Sequence, residues 1–257
     1  MRLYIFTKRN LISFAFCFLI GVLASAIAVS STVKAVQTMS TKREIPIYCV
    51  ETDKKQVALS FDAAWGNEQT MTLLDTLDKY KIKTTFFLVG SWVDKFPDDV
   101  KEIAKRGHDV GNHSDSHPHM TQLSTADMTG EIQACNEKIK SLTGKEVTLF
   151  RAPYGDYNND VVKSVKGCNM YCVQWDVDSL DWKDPTAEQM TKTVTDKIKN
   201  GSIILMHNGA KNTPEALPMI IEGILEKGYE IVPISQIIPK GEYYTDHEGK
   251  MHLSKSN

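Results

Sequence analysis

The sequence predicts an α/β chain folded as a distorted or incomplete (β/α) barrel of about seven strands. Three observations carry that expectation. Short, nearly continuous apolar runs recur from Gln56 onward, as parallel strands buried on both faces do. Amphipathic stretches with legible caps and stops lie between them, and no fixed-period repeat is present. The 257 residues are 42% hydrophobic and 24% charged, with 15 Gly and 9 Pro, which excludes a disordered, collagen-like or multi-pass membrane chain.

Along the chain, residues 1–30 differ from the rest. Arg2, Lys8 and Arg9 precede an uncharged run from Leu11 to Val29, about long enough to span a bilayer. Small residues at Ala24, Ser25, Ala26 and Ala28 offer a cleavage site, so the segment reads as a signal peptide or an N-terminal membrane anchor. Basic residues before the run place everything after it outside the cytoplasm, secreted or membrane-anchored. Residues 31–54 read as a linker and lead-in strand, 55–238 as the working domain, and 239–257 as a polar C-terminal tail.

Within the domain, strands are expected at Gln56–Phe61, Thr84–Val89, Asp109–Gly111, Thr148–Phe150, Tyr171–Trp175, Ile203–Met206 and Glu230–Ile234. Ser124 caps a helix whose Met128, Ile132, Cys135, Ile139 and Leu142 recur at helical spacing, and Gly144 stops it. Thr186 with Gln189 forms a capping-box pattern, and Thr213-Pro214 supplies a cap and first-turn proline for another helix.

Thirty basic and 32 acidic residues give net −2, too balanced for a nucleic-acid binder. Removing residues 1–29 leaves 27 basic against 32 acidic, net −5, a mildly acidic domain. Cys49, Cys135, Cys168 and Cys172 are too sparse for a disulfide scaffold and lack structural-zinc spacing; Cys135 falls on a core stripe.

Loops after barrel strands build active sites, and here those positions are rich in titratable groups. Asp62 follows the first strand, Asn112-His113-Ser114-Asp115-Ser116-His117 the third, Arg151 the fourth, Asp178 and Asp181 the fifth, and His207 ends the sixth. Four of the seven histidines, His108, His113, His117 and His119, fall within twelve residues. His113 and His117, four apart and flanked by polar residues, can converge on one metal ion, whereas His108 and His119 read as a surface or satisfied core residue and a loop residue. Taken singly, Asp62 could be a helix cap, Arg151 an ion-pair partner, and Asp178 and Asp181 turn residues.

The set Ser60-Phe61-Asp62, His113-Ser114-x-x-His117, Arg151-x-Pro153-Tyr154, Asp178-x-x-Asp181-Trp182 and Leu205-x-His207 resembles, in order, the five motifs of the NodB-type polysaccharide deacetylases, carbohydrate esterase family 4. The nearest likeness is to their sporulation-associated PdaB-like subgroup. The resemblance implies a NodB-homology barrel and a metal-dependent N-deacetylase acting on an amino-sugar polymer such as peptidoglycan or chitin-like oligomers. It implies a divalent metal, zinc first, with cobalt, manganese or nickel as alternatives, on His113 and His117. Asp62 would be the base, His207 the acid oriented by Asp181, and Arg151 the partner that keeps Asp62 ionised. The Tyr154 N–H would hold the oxyanion, and Trp182 and Leu205 would wall the acetyl pocket. The family motif has a second aspartate, a metal ligand, where this chain has Ala63. The third ligand would then be Asp62 itself, Asp115, Asn112 or water. A non-catalytic wall-binding or assembly protein of the same fold is the competing expectation.

Overall fold

The computed structural model describes residues 43–254, together with residues 20 and 22. The expected membrane segment therefore lies outside the described residues, apart from Ile20 and Val22, which are helical. No helix among the described residues is long and apolar enough to cross a membrane. The chain divides into two units, Met1–Arg43 and Glu44–Asn257, and the second holds every candidate site residue.

Its elements are β1 (Cys49–Val50), β2 (Gln56–Ala63), α1 (Thr70–Lys79), β3 (Thr85–Leu88), α2 (Gly90–Lys95), α3 (Pro97–Lys105) and β4 (Asp109–Asn112). Then come α4 (Thr125–Thr143), β5 (Leu149–Phe150), α5 (Asn159–Gly167), β6 (Tyr171–Cys172), β7 (Val177–Asp178), α6 (Ala187–Lys197) and β8 (Ile203–His207). The chain ends with α7 (Thr213–Glu226), β9 (Glu230–Ile231), α8 (Ile234–Ile237) and the pair β10 (Tyr243–Thr245) and β11 (Lys250–Leu253). Seven strands lie in the order β6-β5-β4-β3-β2-β8-β7, every neighbouring pair parallel. The path ends at β6 and β7, so the (β/α) barrel is incomplete, as expected. The lead-in segment stitches across that seam, Ile47 bridging to Val173 and Cys49 to Ser202.

Strand β2 shows how the sequence aims the site. Its alternate residues Val57, Leu59, Phe61 and Ala63 join Leu73, Leu77, Ile220 and Ile224 in the layer under the helices. Ala58, of the other parity, packs with Phe87, Leu149, Val173 and Ile203 inside the barrel. Ser60 and Asp62 share that parity, so the inner face turns polar as the strand nears its C-terminal end. Burying a side chain such as Phe61 contributes roughly 1.5–3 kcal/mol, and Phe86 stacks on it at 5.0 Å.

Local signals behave as their chemistry requires. Ser124 Oγ accepts from the Asp127 N–H, Gly144 ends α4 with φ of 68°, and Thr186 with Gln189 makes both bonds of a capping box. Three expectations need correcting. Thr213 is no cap: it is the first residue of α7, Asn212 precedes it without a side-chain cap, and the Thr213 hydroxyl points to Asp181 instead. Val177–Asp178 forms a strand against β8. The C-terminal segment is not a structureless polar tail, because β10 and β11 form a hairpin with β11 parallel to β1 and Met251 fully buried. Cys49, Cys135, Cys168 and Cys172 are all free thiols, with Cys135 in the core.

Candidate active site

Asp62, near the end of β2, and Arg151, just after β5, meet inside the rim. Arg151 Nη1 donates to Asp62 Oδ1 at 2.7 Å, and Nη2 donates to Ser60 Oγ at 2.8 Å and to the Gln174 carbonyl at 3.2 Å. The guanidinium is wholly buried, 4.1 Å from the Phe87 ring centre. A buried cation is tolerated only with such partners. Burial opposes ionisation of Asp62, yet the Arg151 guanidinium beside it outweighs that and holds the carboxyl below its ordinary range.

The histidine pair comes from a tight loop rather than a helix. Ser114 and His117 adopt left-handed backbone, with φ of 68° and 62°. Asn112 Oδ1 accepts from the Ser114 N–H at 2.7 Å, and Ser114 Oγ accepts from the His117 N–H at 2.9 Å. The two rings lie 5.0 Å apart. His113 Nδ1 contacts the Arg151 carbonyl at 2.8 Å, which leaves Nε2 free, 3.5 Å from Asp62 Oδ2. Burial pushes both imidazoles down, His117 to about 4, so both are neutral at pH 7, the form that binds metal.

Those features fit two imidazole ligands with an outer partner orienting the first. The third ligand is missing. Asp115 pairs with Lys138 at 2.6 Å, and Asn112 Nδ2 donates to the Ile132 carbonyl and to Asn136, so neither is available. The Ala63 methyl is fully buried in the apolar layer. Among the described residues, no three His, Cys, Asp or Glu side chains are grouped to hold a metal ion. Of the expected third ligands, water remains, and Asp62 remains through the oxygen that Arg151 does not take, at the expense of its basicity.

Across the pocket, His207 ends β8. Its Nδ1 contacts Asp181 Oδ1 at 2.7 Å, while Asp181 Oδ2 accepts from the His207 N–H at 2.7 Å and the Thr213 hydroxyl at 2.9 Å. Burial disfavours the charged imidazole, but Asp181, with Asp62 and Asp178 nearby, outweighs it and raises the His207 pKa. A cavity of about 410 Å³, within the range of small-molecule sites, gathers Asp62, His113, His117 and His207 with Tyr154, Trp182 and Leu205 at its walls. Arg151 and Asp181 stand behind it. A larger hollow of about 540 Å³ beside Lys166, Tyr171 and Tyr243 contains no histidine or aspartate.

Of the other histidines, His108 is buried and accepts the Thr84 N–H at 3.1 Å. His119 stacks on Tyr154 at 4.3 Å. Sequence reasoning missed Ser60 and Thr213 as partners of Arg151 and Asp181, and Trp65 and Trp175 as pocket walls. Ser60 had a usable signal, because it shares the face of Asp62.

The polysaccharide deacetylase family model matches residues 50–173. A peptidoglycan-N-acetylglucosamine deacetylase of Bacillus cereus is 32% identical, over 74% of this chain and 91% of that protein. The chain belongs to the polysaccharide deacetylase family. This family member is also 35% identical to the peptidoglycan-N-acetylmuramic acid deacetylase PdaC of Bacillus subtilis, over 73% of its own length but 40% of PdaC. Among solved structures, BA3943 of Bacillus anthracis, a CE4 family pseudoenzyme, superposes with a TM-score of 0.73 and 37% identity, over 75% of this chain and 68% of that one. None of these separates the PdaB-like subgroup from the rest of the family.

An ion held by two imidazoles and water alone would be weakly bound, so dialysis of the wild-type protein against metal-free buffer is expected to strip it. Wild-type protein that already carries one tightly held ion per chain would contradict this.

Proposed function

We propose that the chain is an exported, metal-dependent N-deacetylase of amino-sugar polymers, peptidoglycan first, that hydrolyses the amide C–N bond of N-acetyl groups. The observation that carries this reading is the meeting of two acid–base pairs at one pocket: Asp62 bonded to Arg151, and His207 bonded to Asp181. An amide needs an activated water, a stabilised carbonyl oxygen and a proton for the departing amine. A divalent ion on His113 and His117, zinc first, would supply Lewis acidity toward the water and the carbonyl.

The chain's own groups do the rest. Asp62 takes a proton from the attacking water as its oxygen bonds to the acetyl carbon. The Tyr154 N–H, in a residue with left-handed φ of 60°, would hold the developing oxyanion. His207 Nε2 gives its proton to the nitrogen as the C–N bond breaks, while Nδ1–H remains on Asp181. Leu205 and Trp182 enclose the methyl. The N-terminal apolar run would deliver the domain to the outer face of the membrane, as anchor or removed signal, and a sporulation setting accords with the PdaB-like motifs.

Acetate release from peptidoglycan and from N-acetylglucosamine oligomers, with and without chelator, tests the proposal; no release with any added divalent metal would overturn it. The pH profile is expected to be bell-shaped. Its acid limb falls as Asp62 protonates, below the usual carboxylate range, and its alkaline limb falls as His207 deprotonates, above 6.5. Asp181→Asn should move the alkaline limb to lower pH, which a rate profile from pH 4 to 10 would reveal.

A second reading, a non-catalytic wall-binding protein, is favoured by one observation: Ala63 in place of a ligand, in a chain that resembles a pseudoenzyme. Glycan binding without acetate release would select it.

A further inference from the structure

Trp65 takes no part in the proton transfers, yet the structure holds it in place. Its ring lies 5.1 Å from the His207 ring, tilted by 33°, and remains 46% exposed. The following Gly66 carbonyl accepts the Trp92 indole N–H at 2.6 Å and the Asn208 amide at 3.4 Å, which fixes the loop. Gly209 leaves the slot the indole needs, since a Cβ there would come within 2.6 Å of Trp65 Nε1. The same cavity is lined by Trp182 and Tyr154, 53% and 62% exposed. Three large, partly exposed aromatic rings around a pocket that also holds Asp62 and three imidazoles form a surface suited to a ligand that is polar at its edge and apolar on its face.

A pyranose ring has that character: its axial C–H bonds present a weakly positive apolar face that complements the negative face of an indole, and its hydroxyls stay in water. We propose that Trp65 is a specificity-determining residue, the wall on the His207 side against which the sugar bearing the departing amine stacks. This rests on the pocket being the glycan site of the proposed deacetylase. A chain segment of amino sugars would lie along Trp65 within this aromatic-lined cavity, its N-acetyl group directed toward Leu205.

The test is calorimetric titration of the full chain with N-acetylglucosamine tetramer, for wild type, Trp65→Ala, Trp65→Leu and Trp65→Tyr, with melting temperature and acetate release measured on the same samples. Alanine and leucine are expected to weaken binding about tenfold, equivalent to roughly 1.4 kcal/mol, and tyrosine to retain it within about threefold. Leucine keeps apolar bulk without a π face, so it decides the matter if alanine unfolds the chain. Unchanged affinity in the leucine variant, tyrosine as weak as leucine, or a wild type that does not bind the tetramer at millimolar concentration would each overturn the assignment. A wild type that binds through Trp65 without releasing acetate loses the deacetylase reading and keeps this one. Acetate release with Trp65-independent binding does the reverse.

Discussion

His207→Ala is expected to cut acetate release from peptidoglycan by about two to four orders of magnitude, the usual contribution of a positioned general acid. The physical reason is the leaving group. An amide nitrogen expelled without a proton departs as a strongly basic anion, and among the cavity-lining groups only His207 combines a raised pKa with a buried carboxylate on its far nitrogen. Asp181→Asn should lose less, because the imidazole remains, but its ring loses the partner that sets the tautomer. His207 is largely buried and pairs with the fully buried Asp181, so the melting temperature of His207→Ala is measured on the same samples to separate lost catalysis from lost folding. A kcat for His207→Ala within threefold of wild type would rule out this role.

Arg151→Leu should have the largest effect on stability. Removing the guanidinium strands Asp62 as a buried carboxylate with one remaining charged neighbour at most, and losing one member of a buried pair costs about 3–5 kcal/mol. For a domain of this size that corresponds to a fall in melting temperature of roughly 10 °C. The double variant Arg151→Leu with Asp62→Leu should recover most of that loss while remaining inactive, because two apolar residues need no partners. Equal melting temperatures for wild type and Arg151→Leu would show that the pair does not hold the rim together.

Much of this was legible in the chain because the signals are local. Strands β2, β3, β4 and β8 are apolar runs with few alternatives, and their bounds lie within two residues of the expected ones. Three of the five polar clusters lie at the ends of β2, β4 and β8 and the other two at the ends of β5 and β7, so their convergence comes from barrel geometry. What escaped depends on distance in sequence. Thr213 looked like a cap because Thr-Pro begins a helix; its hydroxyl serves a carboxylate 32 residues away. Strand β7 has two residues, one of them an aspartate, and carries no hydrophobic period. The hairpin alternates weakly, and its single fully buried residue, Met251, matters only once β1 is beside it. The ligand gap was visible as Ala63, but that Asp115 turns to Lys138 was not.

The pairing of β1 with β11, reinforced by the Thr245 hydroxyl on the Ile45 carbonyl at 2.8 Å, has an architectural consequence. The first and last strands of the described body sit beside each other, separated by about the four residues of β11, or ~13 Å at ~3.3 Å per residue. A unit with adjoining ends can be spliced into a longer polypeptide like a cassette, without rerouting the host chain.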